Sequence, residues 1–178
     1  MTDIRDAAEA DFDAITAIYA WNVLNGTGTF ALEPPPREEM LAGFRTIKAM
    51  DLPYVVAVQD EQVVGYAYAS PFRTRPGYKY SIEDSVYLAP EAAGRGLGKV
   101  LIHHLIEACT ARGLYSMIAV IGDGDNGPSI GVHKACGFVE TGRLPRAGFK
   151  FGRWLDVVFM MRDLKPPTDV PQGQGWSD

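Results

Sequence analysis

A chain of 178 residues has the length of one ordinary domain and can bury a full apolar core. Its 47% hydrophobic and 22% charged residues describe a globular protein, with no apolar run of bilayer-spanning length and an acidic N-terminus unlike a secretory signal. The net charge of -5 argues against a phosphate-backbone binder, so no nucleic-acid partner is expected, and two cysteines give no disulfide framework, so the expected compartment is a reducing cytoplasm.

Residues 2 to 6 read as a short strand. Phe12, Ile15, Ile18, Tyr19 and Val23 then recur at helical spacing and predict an amphipathic helix through Leu24. NGTGTFALEPPP carries glycines and three prolines, which predict a loop able to line a pocket, and a second helix is expected over 37–50. YVVAVQ and VVGYAYAS, split by a turn at Asp60 and Glu61, predict an antiparallel hairpin; KYSIEDSVYL predicts a third strand, ended by Pro90. After EAAGRGLGK, an apolar stripe through Val100, Leu101, His104, Leu105, Ile106, Ala108 and Cys109 predicts a helix that stops at Gly113. His103 and His104 on this helix are expected to pack or to face solvent. YSMIAVI reads as a buried strand, Pro128 suits the first turn of a short helix ending at Gly137, and two strands follow around FVETGR and RWLDVVFMMRDL. The tail over 166–178, rich in proline and glycine, is expected to lie loosely against a single domain of residues 1–165.

A strand, a glycine loop and a helix in succession make an anion site, because the first amides of a helix have no internal partner and lie at its positive end. Gly94, Gly96 and Gly98 leave the backbone open to a pyrophosphate, while Arg95 and Lys99 add charge at its rim. A plain tight turn into a helix is the bland alternative. A nucleoside-triphosphate loop is excluded, since it needs glycine where Ala93 stands and Ser or Thr where Val100 stands. The dinucleotide fingerprint also fails, at Lys99. The three histidines and two cysteines lack close ligand spacing, so no metal is expected.

The run from Ala93 to Gly98 resembles the coenzyme A loop of the GCN5-related N-acetyltransferase (GNAT) superfamily, with Ala93 replacing the usual first Gln or Arg. Asn126, Ser129, His133, Gly137 and Phe138 resemble a second block of that superfamily. Closer still, IEDSVYL, GRGLGK, NGPSIGVHKACGF and AGFKFGRWLDVVFM are similar to the phosphinothricin and methionine sulfoximine acetyltransferases over most of residues 50–163. The resemblance implies an α/β (α+β) fold, a mixed and mostly antiparallel sheet of about seven strands flanked by about four helices. It also implies transfer of acetyl from acetyl-coenzyme A to the primary amine of a small amino-acid-like acceptor, and a homodimer with the final strands and KFGRWLD as candidate interface.

Such chemistry needs a neutral amine, a positioned carbonyl and a stabilised leaving thiolate. By resemblance, Glu83 is the general base, and the backbone of Val86, Tyr87 and Leu88 pairs with the pantetheine arm, extending the sheet. His133 stands where the superfamily often has a thiolate-protonating tyrosine; packing is the alternative for a helix histidine. Asn126 is a candidate amide partner of the cofactor or simply a helix-start residue, with Ser129 and Leu97 grouped at the same cofactor site. Arg73 and Arg75 are candidates for an acidic group on the acceptor, and Phe30, Tyr78 and Tyr80 for its pocket wall. The competing readings are a noncatalytic acyl-coenzyme A-binding regulatory module, disfavoured by Glu83, a protein or peptide N-acetyltransferase, disfavoured by the two arginines, and a scaffold.

Overall fold

The computed structural model describes residues 2–171 and 175–176. Among them are seven strands: β1 (Asp3–Asp6), β2 (Tyr54–Gln59), β3 (Gln62–Pro71), β4 (Ser81–Leu88), β5 (Ser116–Gly122), β6 (Val139–Lys150) and β7 (Arg153–Asp163). They form one sheet in the order β1-β2-β3-β4-β5-β7-β6, antiparallel except for the β4–β5 pair. Four helices flank it: α1 (Phe12–Asn25), α2 (Arg37–Ala49), α3 (Leu97–Ala111) and α4 (Gly127–Ala135).

Side-chain alternation along β3 sorts the layers. Tyr66 and Tyr68 point to one face, where both stack with Tyr54 and Tyr66 also stacks with Tyr87, which meets Tyr19 of α1 edge-on; Phe12 and Phe44 of α1 and α2 close on Tyr54. Gly65 points the opposite way, and a Cβ there would lie 2.6 Å from Leu88 Cδ2 and 3.5 Å from Leu101 of α3. A helix packs closely on that face because the strand offers it little more than backbone. The buried Leu101, Ile102, Leu105 and Cys109 of α3 complete this second layer. Gly113 takes φ 78° just past the helix end, as a left-handed stop requires.

Two stretches differ from expectation. β6 runs on to Lys150, well beyond FVETGR, because it folds back on β7 as a long hairpin whose register shifts at Glu140/Gly142 and Leu144/Gly148 absorb Pro145. In the tail expected to be loose, Trp176 is only 6% exposed and its amide donates to the Lys79 carbonyl at 3.0 Å, whereas 172–174 and 177–178 lie outside the described residues.

Candidate active site

The site arises from a defect in the sheet. β4 and β5 pair in parallel only from Ser81–Ser116 to Asp84–Ala119, although β4 continues to Leu88 and β5 to Gly122. Past that point the strands part, and a cleft of about 870 Å³ opens between them. Its walls are the loop over residues 26–30, the glycine loop with the start of α3, and α4.

On the free edge of β4, the Leu88 carbonyl accepts from Asn22 Nδ2 at 3.1 Å. Strand alternation turns the N–H and C=O of Val86 to the same edge, where β5 no longer reaches them. An extended ligand with amides of its own can therefore add there as a strand does. At the far end, Gly94 and Gly96 adopt φ 75° and 79°, and a Cβ on either would meet nothing within 4 Å. Among the described residues, the amides of residues 94–98 find no backbone acceptor, while the first ones to do so are Lys99 and Val100, both donating to Gly96. These free donors at the positive end of α3 suit a pyrophosphate, and Lys99 lines the cleft beside them. Arg95 is exposed and does not line it. Leu97 is buried, anchoring the first turn. Asn126 caps α4, its Oδ1 accepting from Ser129 N at 3.2 Å, so its main commitment is to the helix start.

Glu83 lies on the cleft where the strands diverge. Burial, then the like charge of Asp84, push its carboxyl up to about 7, against the opposing pull of Arg73. A carboxylate poised there can both accept and release a proton at neutral pH. His133 is 6% exposed, with Nδ1 at 2.7 Å from the Ser129 carbonyl and Nε2 at 3.0 Å from Asp84 Oδ2. Burial lowers its pKa, but the hydrogen bond and charge of Asp84 outweigh this, and the net direction is upward. Among the described residues, no group of three His, Cys, Asp or Glu side chains can hold a metal ion.

The expected acceptor residues separate. Phe30 lines the cleft, its ring lying against Gly148 and Gly122. Arg73 is near enough to influence Glu83, though its Nη1 donates to the Phe72 carbonyl and its guanidinium covers the Phe72 ring at 4.3 Å. Arg75 and Tyr78 are exposed and do not line the cleft. Three contributors were absent from the sequence reading. Asp84 is the first. Lys150, 2% exposed, donates from Nζ to the Gly26 and Thr29 carbonyls at 2.9 and 2.8 Å and so pins the cleft loop from behind. Asp123 sits at φ 71° and receives Arg153 Nη2 at 2.6 Å, tying the end of β5 to β7. A positive φ on a non-glycine residue beside the cleft was the local signal, invisible without the fold.

The family model described as acetyltransferase (GNAT) family matches residues 15–138. A phosphinothricin N-acetyltransferase of Alcaligenes faecalis is 46% identical over 95% of this chain and 86% of its own length. An L-methionine sulfoximine/L-methionine sulfone acetyltransferase of Pseudomonas aeruginosa is 40% identical over 94% of this chain and 98% of its own. The crystal structure of a GNAT superfamily phosphinothricin acetyltransferase from Sinorhizobium meliloti in complex with acetyl-coenzyme A superposes with a TM-score of 0.91, at 45% identity, covering 98% of this chain and 97% of that one. With the splayed strands and the glycine-rich helix start in place, the chain belongs to the acetyltransferase (GNAT) family and is an acetyl-coenzyme A-dependent acetyltransferase.

Proposed function

We propose that this enzyme acetylates the primary amine of a small amino-acid-like acceptor of the phosphinothricin or methionine sulfoximine type, with Glu83 as general base. The observation that carries the reading is the position of Glu83, at the divergence of β4 and β5 with its carboxyl pushed up to about 7. Acetyl-coenzyme A supplies the activated acetyl group. The amides of residues 94–98 and Lys99 hold its diphosphate, and the free edge of Val86 to Leu88 aligns its pantetheine arm. Glu83 takes the amine proton, directly or through water, as nitrogen bonds to the acetyl carbon. His133 supplies the proton for the departing sulfur. Arg73, at the Glu83 end, attracts an acidic group of the acceptor.

Substituting Glu83→Gln keeps the shape and removes the base. Turnover, followed by thiol release with phosphinothricin or methionine sulfoximine, is expected to fall by about 10² to 10⁴ while cofactor affinity by calorimetry is retained. Unchanged turnover refutes the assignment.

The same reading extends to the assembly and setting. Residues 1–165 form the catalytic domain, the chain works in the cytoplasm, and two copies associate through the β6–β7 hairpin. Among the described residues, no helix is long and apolar enough to cross a membrane.

A further inference from the structure

We infer that Asp84 is a positioning residue for the acid step: it fixes the His133 ring and stores one proton between Nε2 and Oδ2 at the floor of the cleft. The storage follows from which atoms can donate. The Ser129 carbonyl can only accept, so at 2.7 Å the proton on Nδ1 is committed to it. A neutral ring would then turn its Nε2 lone pair on the Asp84 carboxylate at 3.0 Å, with nothing between them. The His133 and Asp84 side chains are only 7% and 1% exposed, so a repulsive contact between two acceptors there goes unscreened by water. A proton on Nε2 removes the conflict, making the pair an imidazolium facing a carboxylate.

The surroundings leave the ring little freedom. Phe138 meets it edge-on at 5.1 Å, and the Nδ1 bond ties it to its own helix. Around the His133–Asp84 pair, the charged and titratable groups are Glu83 beside Asp84 on its strand, Lys99 and the buried Cys109 of α3, Lys134 and Cys136 after His133 on its own segment, and Arg162 of β7, bonded to the Cys136 carbonyl. Among the described residues, the buried Asp84 Oδ1 has no hydrogen-bond partner, and Asp84 lines the cleft.

What the stored proton does rests on the acetyl-transfer reading above. As the carbon–sulfur bond breaks, its electron pair stays on sulfur, and His133 passes the Nε2 proton to it. The ring is left neutral with Nδ1–H still on Ser129, and a proton from water restores the pair. The proton taken by Glu83 comes from the amine and leaves separately. Asp84 also acts on that second step, because its charge lies beside Glu83 and favours the protonated form.

The direct test is an imidazole nitrogen NMR titration of the whole ¹⁵N-labelled chain, with His133 assigned through His133→Asn. The expected result is a His133 ring that keeps both N–H protons above pH 6.5, the ordinary histidine midpoint. In Asp84→Asn the midpoint should fall, and both limbs of the kcat profile should move to lower pH. The maximal kcat should drop about 10²-fold, the lower end of what positioned proton transfer contributes. A His133 ring carrying one N–H at neutral pH in the unaltered chain overturns the inference, and it does so even if Asp84→Asn fails to fold. Asp84→Asn leaving the titration unmoved overturns it as well. Failure of the acetyl-transfer reading is seen separately, as no thiol release by the unaltered chain.

Discussion

Glu83 and Arg73 show how a single residue sets the working range of the site. As the proposed base, Glu83 is active as carboxylate, and a carboxyl lifted to about 7 reaches that form only as pH rises through neutrality, so the rate should climb there. Arg73 is the cation that opposes the lift. Arg73→Met therefore raises the Glu83 pKa further, and the acidic limb of the kcat/KM profile should move to higher pH, while Arg73→Lys should leave it near its original place. A limb that stays put in Arg73→Met would separate this arginine from the base. Glu83, His133 and the glycine loop line one cleft; the loop could be singled out by its own residue pattern, whereas Glu83 and His133 came into view through the resemblance. The sequence left Asp84 unread, since the partner that gives it meaning lies 49 positions away on α4. Arg75 and Tyr78 do not line the cleft, because proximity to Glu83 in sequence does not decide which way a loop turns its side chains.

At the scale of elements, periodicity together with proline and glycine signals indicated the four helices and seven strands of the described residues. It could not supply the early end of β4–β5 pairing, which depends on how two strands diverge and not on what either contains. Nor could it foresee that the β6–β7 hairpin grips the loop over 26–30. That grip centres on Lys150, whose buried Nζ donates to two loop carbonyls; burial lowers its pKa. Lys150→Met keeps most of the side-chain volume and removes both bonds. Each charged donor to a carbonyl contributes about 1.5–3 kcal/mol at most, and the carbonyls regain water if the loop lifts, so a net loss of about 1–3 kcal/mol is expected by denaturant unfolding. Because the loop forms one wall of the cleft, KM for the acceptor should rise more than the dissociation constant of acetyl-coenzyme A. Equal effects on the two ligands would mean that the wall is not specific to the acceptor end.

The whole molecule ends, on the β6 side, in an unsolved surface problem. β6 is the last strand of the sheet, twelve residues long, and exposed over nearly all its length. A long open edge of this kind invites pairing with another chain unless it is blunted or covered. Beside it the hairpin presents Phe149 and Trp154 as direct cross-strand neighbours, their rings 5.3 Å apart, at 54% and 60% exposure, with Phe151 at 55%. Scattered apolar residues are ordinary on a surface, but three clustered aromatics next to an open strand edge mark an association site. In the proposed dimer, a second copy about a two-fold axis covers it with the same patch, the self-complementary arrangement most common among oligomers. Sedimentation at micromolar concentration should therefore give twice the mass of the chain, and the double change Phe149→Glu and Trp154→Glu should give a monomer, because like charges would then face each other across the axis. A monomeric unaltered chain at that concentration would leave the hairpin uncovered and defeat the proposal. Since this hairpin also carries Lys150, which pins the cleft loop, the monomeric variant is further expected to bind acceptor less tightly, so association and acceptor affinity should be lost together.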